Sequence, residues 1–130
     1  MKIPEGFLYT NDHEWAKVEG DNVRMGITDY AQHELGDIVF VDLSPTGRNV
    51  RKGDSVGTVE SVKAVSDIYA PVSGTIISIN AELETSPDLV NKDCYGRGWM
   101  IVISAPFSGE DTCVLMDATF YREYLLKETK

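Results

Sequence analysis

A mainly β fold of the sandwich or barrel kind is what this 130-residue sequence predicts. Three observations carry that expectation. Short β-type runs recur along the chain, clusters of Gly, Asn, Asp or Pro separate them, and helical periodicity is confined to a few brief stretches. The length suits one core, so residues 1–130 read as a single domain. Apolar residues at 42% and charged residues at 25% are ordinary for a globular chain and unlike a disordered one.

The first strand run, Asn22–Ile27, leaves a turn at Glu19-Gly20-Asp21-Asn22. Thr28 then reads as an N-cap for a helix of about two turns over 29–35. Tyr30, Ala31 and Leu35 fall at helical spacing there, and Gly36 stands where a terminating glycine belongs. A second run, Asp37–Leu43, ends at Ser44-Pro45-Thr46-Gly47. From Gly53, within the Lys52-Gly53-Asp54 turn, to Gly74 the pattern is a β run on either side of Val62-Lys63-Ala64. That predicts a hairpin over about 53–74 with a lysine near its tip. Gly74–Ile79 and Trp99–Ile103 complete the strand runs. Near the end, Ser108 is placed to cap a short helix through Leu115. Asp117 is placed to cap another, in which Phe120, Tyr121, Tyr124 and Leu125 form one apolar stripe for packing on the sheet. This pair makes a C-terminal helical segment of about 108–127.

Net charge −9 and a pI near 4.6 repel phosphate backbones and anionic lipid, so no nucleic acid and no membrane is expected as a partner. Basic patches on other proteins suit this charge better. No apolar stretch approaches spanning length, and no signal or transit pattern opens the sequence, which points to a bacterial-type cytoplasm. Cys94 and Cys113 lack any C-x-x-C arrangement and read as free thiols. His13 and His33 have no metal-ligand spacing, so no metal is expected. Trp15 and Trp99 read as core aromatics and Gly96-Arg97-Gly98 as a turn. With no nucleophile and base constellation and no paired carboxylates, the chain does not read as an enzyme and no catalytic residue is assigned.

The lysine carries the chemistry. At a hairpin tip it is exposed and anchored by two strands, which is what an enzyme delivering an activated acyl group to an amine requires. A lysine amine attacks an activated acyl group only once deprotonated, so the modifying enzyme must take the proton. The surrounding motifs are more specific. They include His13-Glu14-Trp15, Gly26-Ile27-Thr28 with Ala31-Gln32, and Leu35-Gly36-Asp37. Glu60-Ser61-Val62-Lys63-Ala64, Ser66-Asp67-Ile68-Tyr69-Ala70-Pro71, and Tyr95-Gly96 before Gly98-Trp99 follow. Through these motifs, most of the chain resembles the glycine cleavage H-protein family of lipoyl carriers. Biotin carriers usually flank the modified lysine with methionines, where Val62 and Ala64 stand here. Lipoyl domains of 2-oxo acid dehydrogenases place Asp before it and lack the His-Glu-Trp segment and the C-terminal helices.

The resemblance implies a flattened barrel-sandwich hybrid of the lipoyl/biotinyl-like kind, with short helices. It implies lipoate bound covalently to Lys63 and a shuttle that carries the aminomethyl group of glycine from glycine decarboxylase to an aminomethyltransferase. Dihydrolipoamide dehydrogenase would reoxidise the arm, and a lipoate ligase or lipoyl transferase would install it. A monomer is expected. In the family the loaded arm folds into a cleft away from water, and the residues implied there are Glu14, Asp12 and Asp67. Arg97 and Cys94 depart from the acidic residue and the proline usual in relatives, so a more basic surface is expected at that turn. The alternative role is a lipoate relay that donates lipoyl groups to 2-oxo acid dehydrogenases through the same Lys63.

Overall fold

The computed structural model describes residues 1–128. The chain runs β1 (Leu8–Tyr9), β2 (Glu14–Glu19), β3 (Asn22–Ile27), α1 (Asp29–Leu35), β4 (Ile38–Leu43), β5 (Asn49–Val50) and β6 (Ser55–Ser61). It continues through β7 (Val65–Tyr69), β8 (Gly74–Ile79), α2 (Glu82–Thr85), α3 (Leu89–Lys92), β9 (Ile101–Ser104), α4 (Gly109–Thr112) and α5 (Ala118–Glu128). A six-stranded sheet, in the order β1-β2-β3-β9-β8-β5, faces a three-stranded sheet, β4-β6-β7. All the pairings are antiparallel. The expected flattened, mainly β sandwich is the fold.

Period-two alternation builds the layers. On β3, Val23, Met25 and Ile27 enter the core between the sheets, where they join Ile38, Val41, Val56, Val59 and Ile68 of the smaller sheet and Ile76, Ile101 and Ile103 of the larger. Each fully buried aliphatic chain there stabilises the fold by about 1.5–3 kcal/mol. The opposite face of the large sheet carries a second cluster, Tyr9, Trp15, Ala118, Tyr121 and Leu125, with Phe7, Tyr95 and Trp99 packed around it. Strand β2 serves both layers: Ala16 lies in the inter-sheet core and Trp15 under α5. Gly26 makes room for that indole, because a Cβ there would meet Trp15 Nε1 at 2.9 Å.

Three of the four expected caps follow the sequence, whereas Ser108 precedes its helix without making a side-chain cap bond. Thr28 Oγ1 accepts the Ala31 amide at 3.2 Å, and Gly36 ends α1 at φ 79° with its amide on the Gln32 carbonyl. Asp117 Oδ1 accepts the Phe120 amide at 2.9 Å to start α5. Two C-terminal expectations need correcting. The Ser108 helix does not reach Leu115: α4 stops at Thr112, because Met116 must turn to make two backbone bonds with Tyr9, at 2.8 and 2.9 Å. Phe120 is not part of the buried stripe either, being 65% exposed, and Ala118 takes the place beside Tyr121 and Leu125. The spacing 118, 121, 125 keeps one helical face, and Phe120 lies off it. Helices α2 and α3 are four-residue turns that the apolar pattern did not announce.

Candidate functional site

Lys63 sits at the tip joining β6 to β7, as its hairpin pattern predicts. The turn is closed by the Ser61 amide donating to the Ala64 carbonyl at 2.8 Å. The Ser61 hydroxyl accepts the amides of Lys63 at 3.1 Å and Ala64 at 3.0 Å, a local side-chain clamp of the kind short polar residues make in turns. From outside the hairpin, Val62 donates to the Asp37 carbonyl at 3.1 Å. The backbone is thus fixed while Val62, Lys63 and Ala64 are exposed. Lys63 Nζ donates to the Glu34 carbonyl at 3.3 Å, in the last turn of α1. Gly36 lies alongside, where a Cβ would come within 3.1 Å of Lys63 Cε. The end of α1 is itself held by Asn91, whose amide donates to Gln32 Oε1 and the Gly36 carbonyl, both at 2.9 Å.

A separate cleft of about 290 Å³ opens between the β1–β2 connection, the 52–53 turn, the end of β7 and the segment after α4. Glu14 and Asp12 line it together with Thr10, Tyr69, Pro71 and Leu115. Glu14, at the start of β2, shares the inter-sheet face with Ala16 and is only 2% exposed. Its Oε1 accepts the Thr10 hydroxyl at 2.7 Å and its Oε2 accepts the Tyr69 amide at 3.0 Å, a bond that spans from the large sheet to β7. No cation pairs with it among the described ion pairs. Burial therefore pushes its carboxyl up to about 7, against the smaller lowering by the Thr10 hydroxyl and the Tyr69 amide, and nearby Asp12 raises it further.

The structure brings Glu14 and Asp12 together and leaves the other two site residues outside this cleft. Asp67 is exposed on β7, opposite Thr58, and accepts the Ser55 hydroxyl at 3.3 Å. Lys63 lies six residues before Tyr69, roughly 20 Å along an extended strand, with Asp67 on β7 between them. Thr10, the Tyr69 amide and Leu115 were not expected here. Only Thr10 had a readable signal, a hydroxyl four residues before a glutamate in a polar turn. Arg97, the expected source of basic surface, is held in an ion pair with Glu82 at 2.8 Å.

The cleft sets apolar walls beside acidic groups, with Lys52 also on its lining. Tyr69, Ala70, Pro71, Val114 and Leu115 supply cleft walls, while the two carboxylates supply the acceptor. A family model described as glycine cleavage H-protein matches residues 7–128. The chain is 52% identical over 128 residues to the glycine cleavage system H protein of Thermus thermophilus, covering 98% of this chain and 99% of that one. It is 54% identical over 125 residues to that of Salinibacter ruber, covering 95% and 98%. The crystal structure of a glycine cleavage system H protein from Mycobacterium marinum superposes with a TM-score of 0.85 at 39% identity, covering 94% of this chain and 98% of that one.

Proposed function

The chain belongs to the glycine cleavage H-protein family, and from that premise we propose that it is the lipoyl carrier of a glycine cleavage system, with lipoate in amide linkage to Lys63. Bound there, lipoate would supply a strained disulfide able to accept the aminomethyl carbon of glycine on one sulfur and leave the other as a thiol, the electron pair coming from the bond to the carboxyl group lost as carbon dioxide. The carrier's own residues hold, aim and shield. Ser61 and the Asp37 carbonyl keep the tip rigid, so that a modifying enzyme meets Nζ in one place. The single contact on Nζ, a carbonyl of α1, is one that an acylated lysine nitrogen can keep with its remaining N–H.

Glu14 is the acceptor for the cargo's ammonium, Asp12 adds negative charge at the mouth, and Asp67 lies on the arm's path along β7. Near neutral pH an empty cleft leaves Glu14 partly protonated, and an arriving ammonium drives it to the carboxylate. Walls of Pro71, Val114 and Leu115 keep water from the cargo. Glycine decarboxylase loads the arm, an aminomethyltransferase unloads it, dihydrolipoamide dehydrogenase reoxidises it, and a lipoate ligase or lipoyl transferase attaches it. A monomer serves such successive visits. No helix among the described residues is long and apolar enough to cross a membrane.

The observation that carries this reading is the exposed lysine on a doubly fixed tip, just before β7, the strand whose last residue, Tyr69, donates its amide to the buried Glu14 carboxyl. Intact mass spectrometry after incubation with lipoate, ATP and lipoate ligase tests it. One lipoyl increment is expected, lost in Lys63→Arg. The lipoylated protein is then expected to support glycine-dependent bicarbonate exchange with glycine decarboxylase. Modification without exchange would favour the lipoate relay, and no modification of Lys63 would remove the proposal.

A further inference from the structure

His13 is the only residue other than glycine at positive φ among the described residues, at 65°. Left-handed backbone is costly for a side chain with a Cβ and persists where surrounding structure over-determines it. Here the determinants converge from three elements. Within the β1–β2 connection, the His13 amide donates to the Thr10 carbonyl at 3.2 Å, and the Thr10 hydroxyl accepts the amides of Asp12 and Glu14, both at 3.2 Å. From α1, the Thr28 amide donates to the His13 carbonyl at 3.0 Å.

The imidazole is gripped by α5. Its Nδ1 lies 2.9 Å from the Tyr121 hydroxyl, and its Nε2 lies 3.0 Å from Glu128 Oε2. Tyr121 in turn lies 2.8 Å from Thr28 Oγ1, the cap of α1, and Tyr124 bonds the other oxygen of Glu128 at 2.8 Å. Tyr30 covers the ring at a centroid distance of 4.6 Å. One donor direction satisfies the whole chain: Ala31 amide to Thr28, Thr28 hydroxyl to Tyr121, Tyr121 hydroxyl to Nδ1, and Nε2–H to Glu128.

This network meets the arm cleft at Tyr9, on which Tyr121 stacks, and at Asn11, whose carbonyl accepts the Tyr124 hydroxyl, and it ends one peptide bond from Glu14. The left-handed turn at His13 sets the phase in which β2 begins, and that phase places Glu14 between the sheets and Trp15 under α5. We infer that His13 is a positioning residue for Glu14: by clamping the left-handed turn to Tyr121 and Glu128, the C-terminal helix holds the Glu14 carboxylate buried in the arm cleft. The inference rests on the reading of Glu14 as the cargo's acceptor, yet its test needs no arm.

In unlipoylated protein carrying ¹³C-labelled glutamate, the Glu14 carboxyl is identified by its loss in Glu14→Gln and titrated by NMR. Wild type is expected to titrate near 7. His13→Ala, which removes the clamp, and Tyr121→Phe, which removes only the hydroxyl while keeping the ring stacked on Tyr9, are expected to let water reach the carboxyl. Each should lower the midpoint by roughly one pH unit. His13→Asn should retain the wild-type midpoint, because Asn tolerates the left-handed turn and places its amide near the Nδ1 position. An unchanged midpoint in folded His13→Ala overturns the inference, as does an equal shift in the Asn and Ala variants. If His13→Ala does not fold, Tyr121→Phe decides by the same criterion. The arm's own dependence is separate: a loaded arm equally long-lived in Glu14→Gln would remove Glu14 as acceptor and leave His13's positioning role standing.

Discussion

Glu14→Gln tests the burial of an unpaired carboxyl at the heart of the cleft. In the folded protein the group is raised from 4.5 to about 7. A raised carboxyl is one whose proton the native state holds more tightly than the unfolded chain. Its stabilising contribution is therefore complete below pH ~4.5 and is lost as pH rises through about 7. At ~1.36 kcal/mol per pH unit, the difference amounts to about 3 kcal/mol. Gln cannot ionise, so it lacks this loss. It does give up one acceptor: the Thr10 hydroxyl and the Tyr69 amide both donate to Glu14, and one amide oxygen keeps only one of those bonds, at a cost of about 1 kcal/mol. Wild type should thus be the more stable by about 1 kcal/mol near pH 4.5, and Glu14→Gln by about 2 kcal/mol at pH 8. Urea melts of both proteins from pH 4.5 to 8 measure this as a reversal in the order of midpoints, spread over roughly 1 to 2 M. Titrating groups that do not couple to Glu14 cancel in the difference. A wild-type minus variant difference that stays flat across this range would refute the burial argument.

Asp12 lies near enough to raise Glu14 further, so Asp12→Asn should lower the Glu14 midpoint, read by the same ¹³C titration, without changing the fold. Cys94 is buried and its thiol is pushed up to about 12, mainly by burial, whereas Cys113 is exposed. A thiol reagent at pH 8 should therefore label Cys113 alone in the native protein and reach Cys94 only after denaturation, as counted by intact mass. Gly74→Ala would press a Cβ into the Ser104 carbonyl oxygen and against Ile103 Cγ2 at 2.7 Å. It should cost about 3 kcal/mol, with a matching fall in the urea midpoint.

The alternating runs, their turns and the capping residues Thr28, Gly36 and Asp117 were legible because each is a local matter of period, backbone freedom or a reachable amide. The failures were local rules overruled by partners far along the chain. The Ser108 helix is cut short by Met116 pairing with Tyr9, a contact across more than a hundred residues that no local propensity encodes. Phe120 reads as part of a stripe, but the face of α5 that docks is the one shared by Ala118, Tyr121 and Leu125, and Phe120 lies off it.

For the site, the sequence by itself determined the lysine, its hairpin and the motifs around it, since a tip is made by residues adjacent in the chain. Only tertiary structure built the cleft around Glu14. Glu14 and Tyr69 stand 55 positions apart, and the bond between them exists because two sheets meet there. Burial gives Glu14 its high proton affinity, and burial belongs to the packed layers. His13 shows the same division: its identity is written next to Glu14, but the grip that keeps its backbone left-handed comes from Tyr121, 108 residues away. A chain can state which groups it carries, and folding alone sets the dielectric and the distances in which they act.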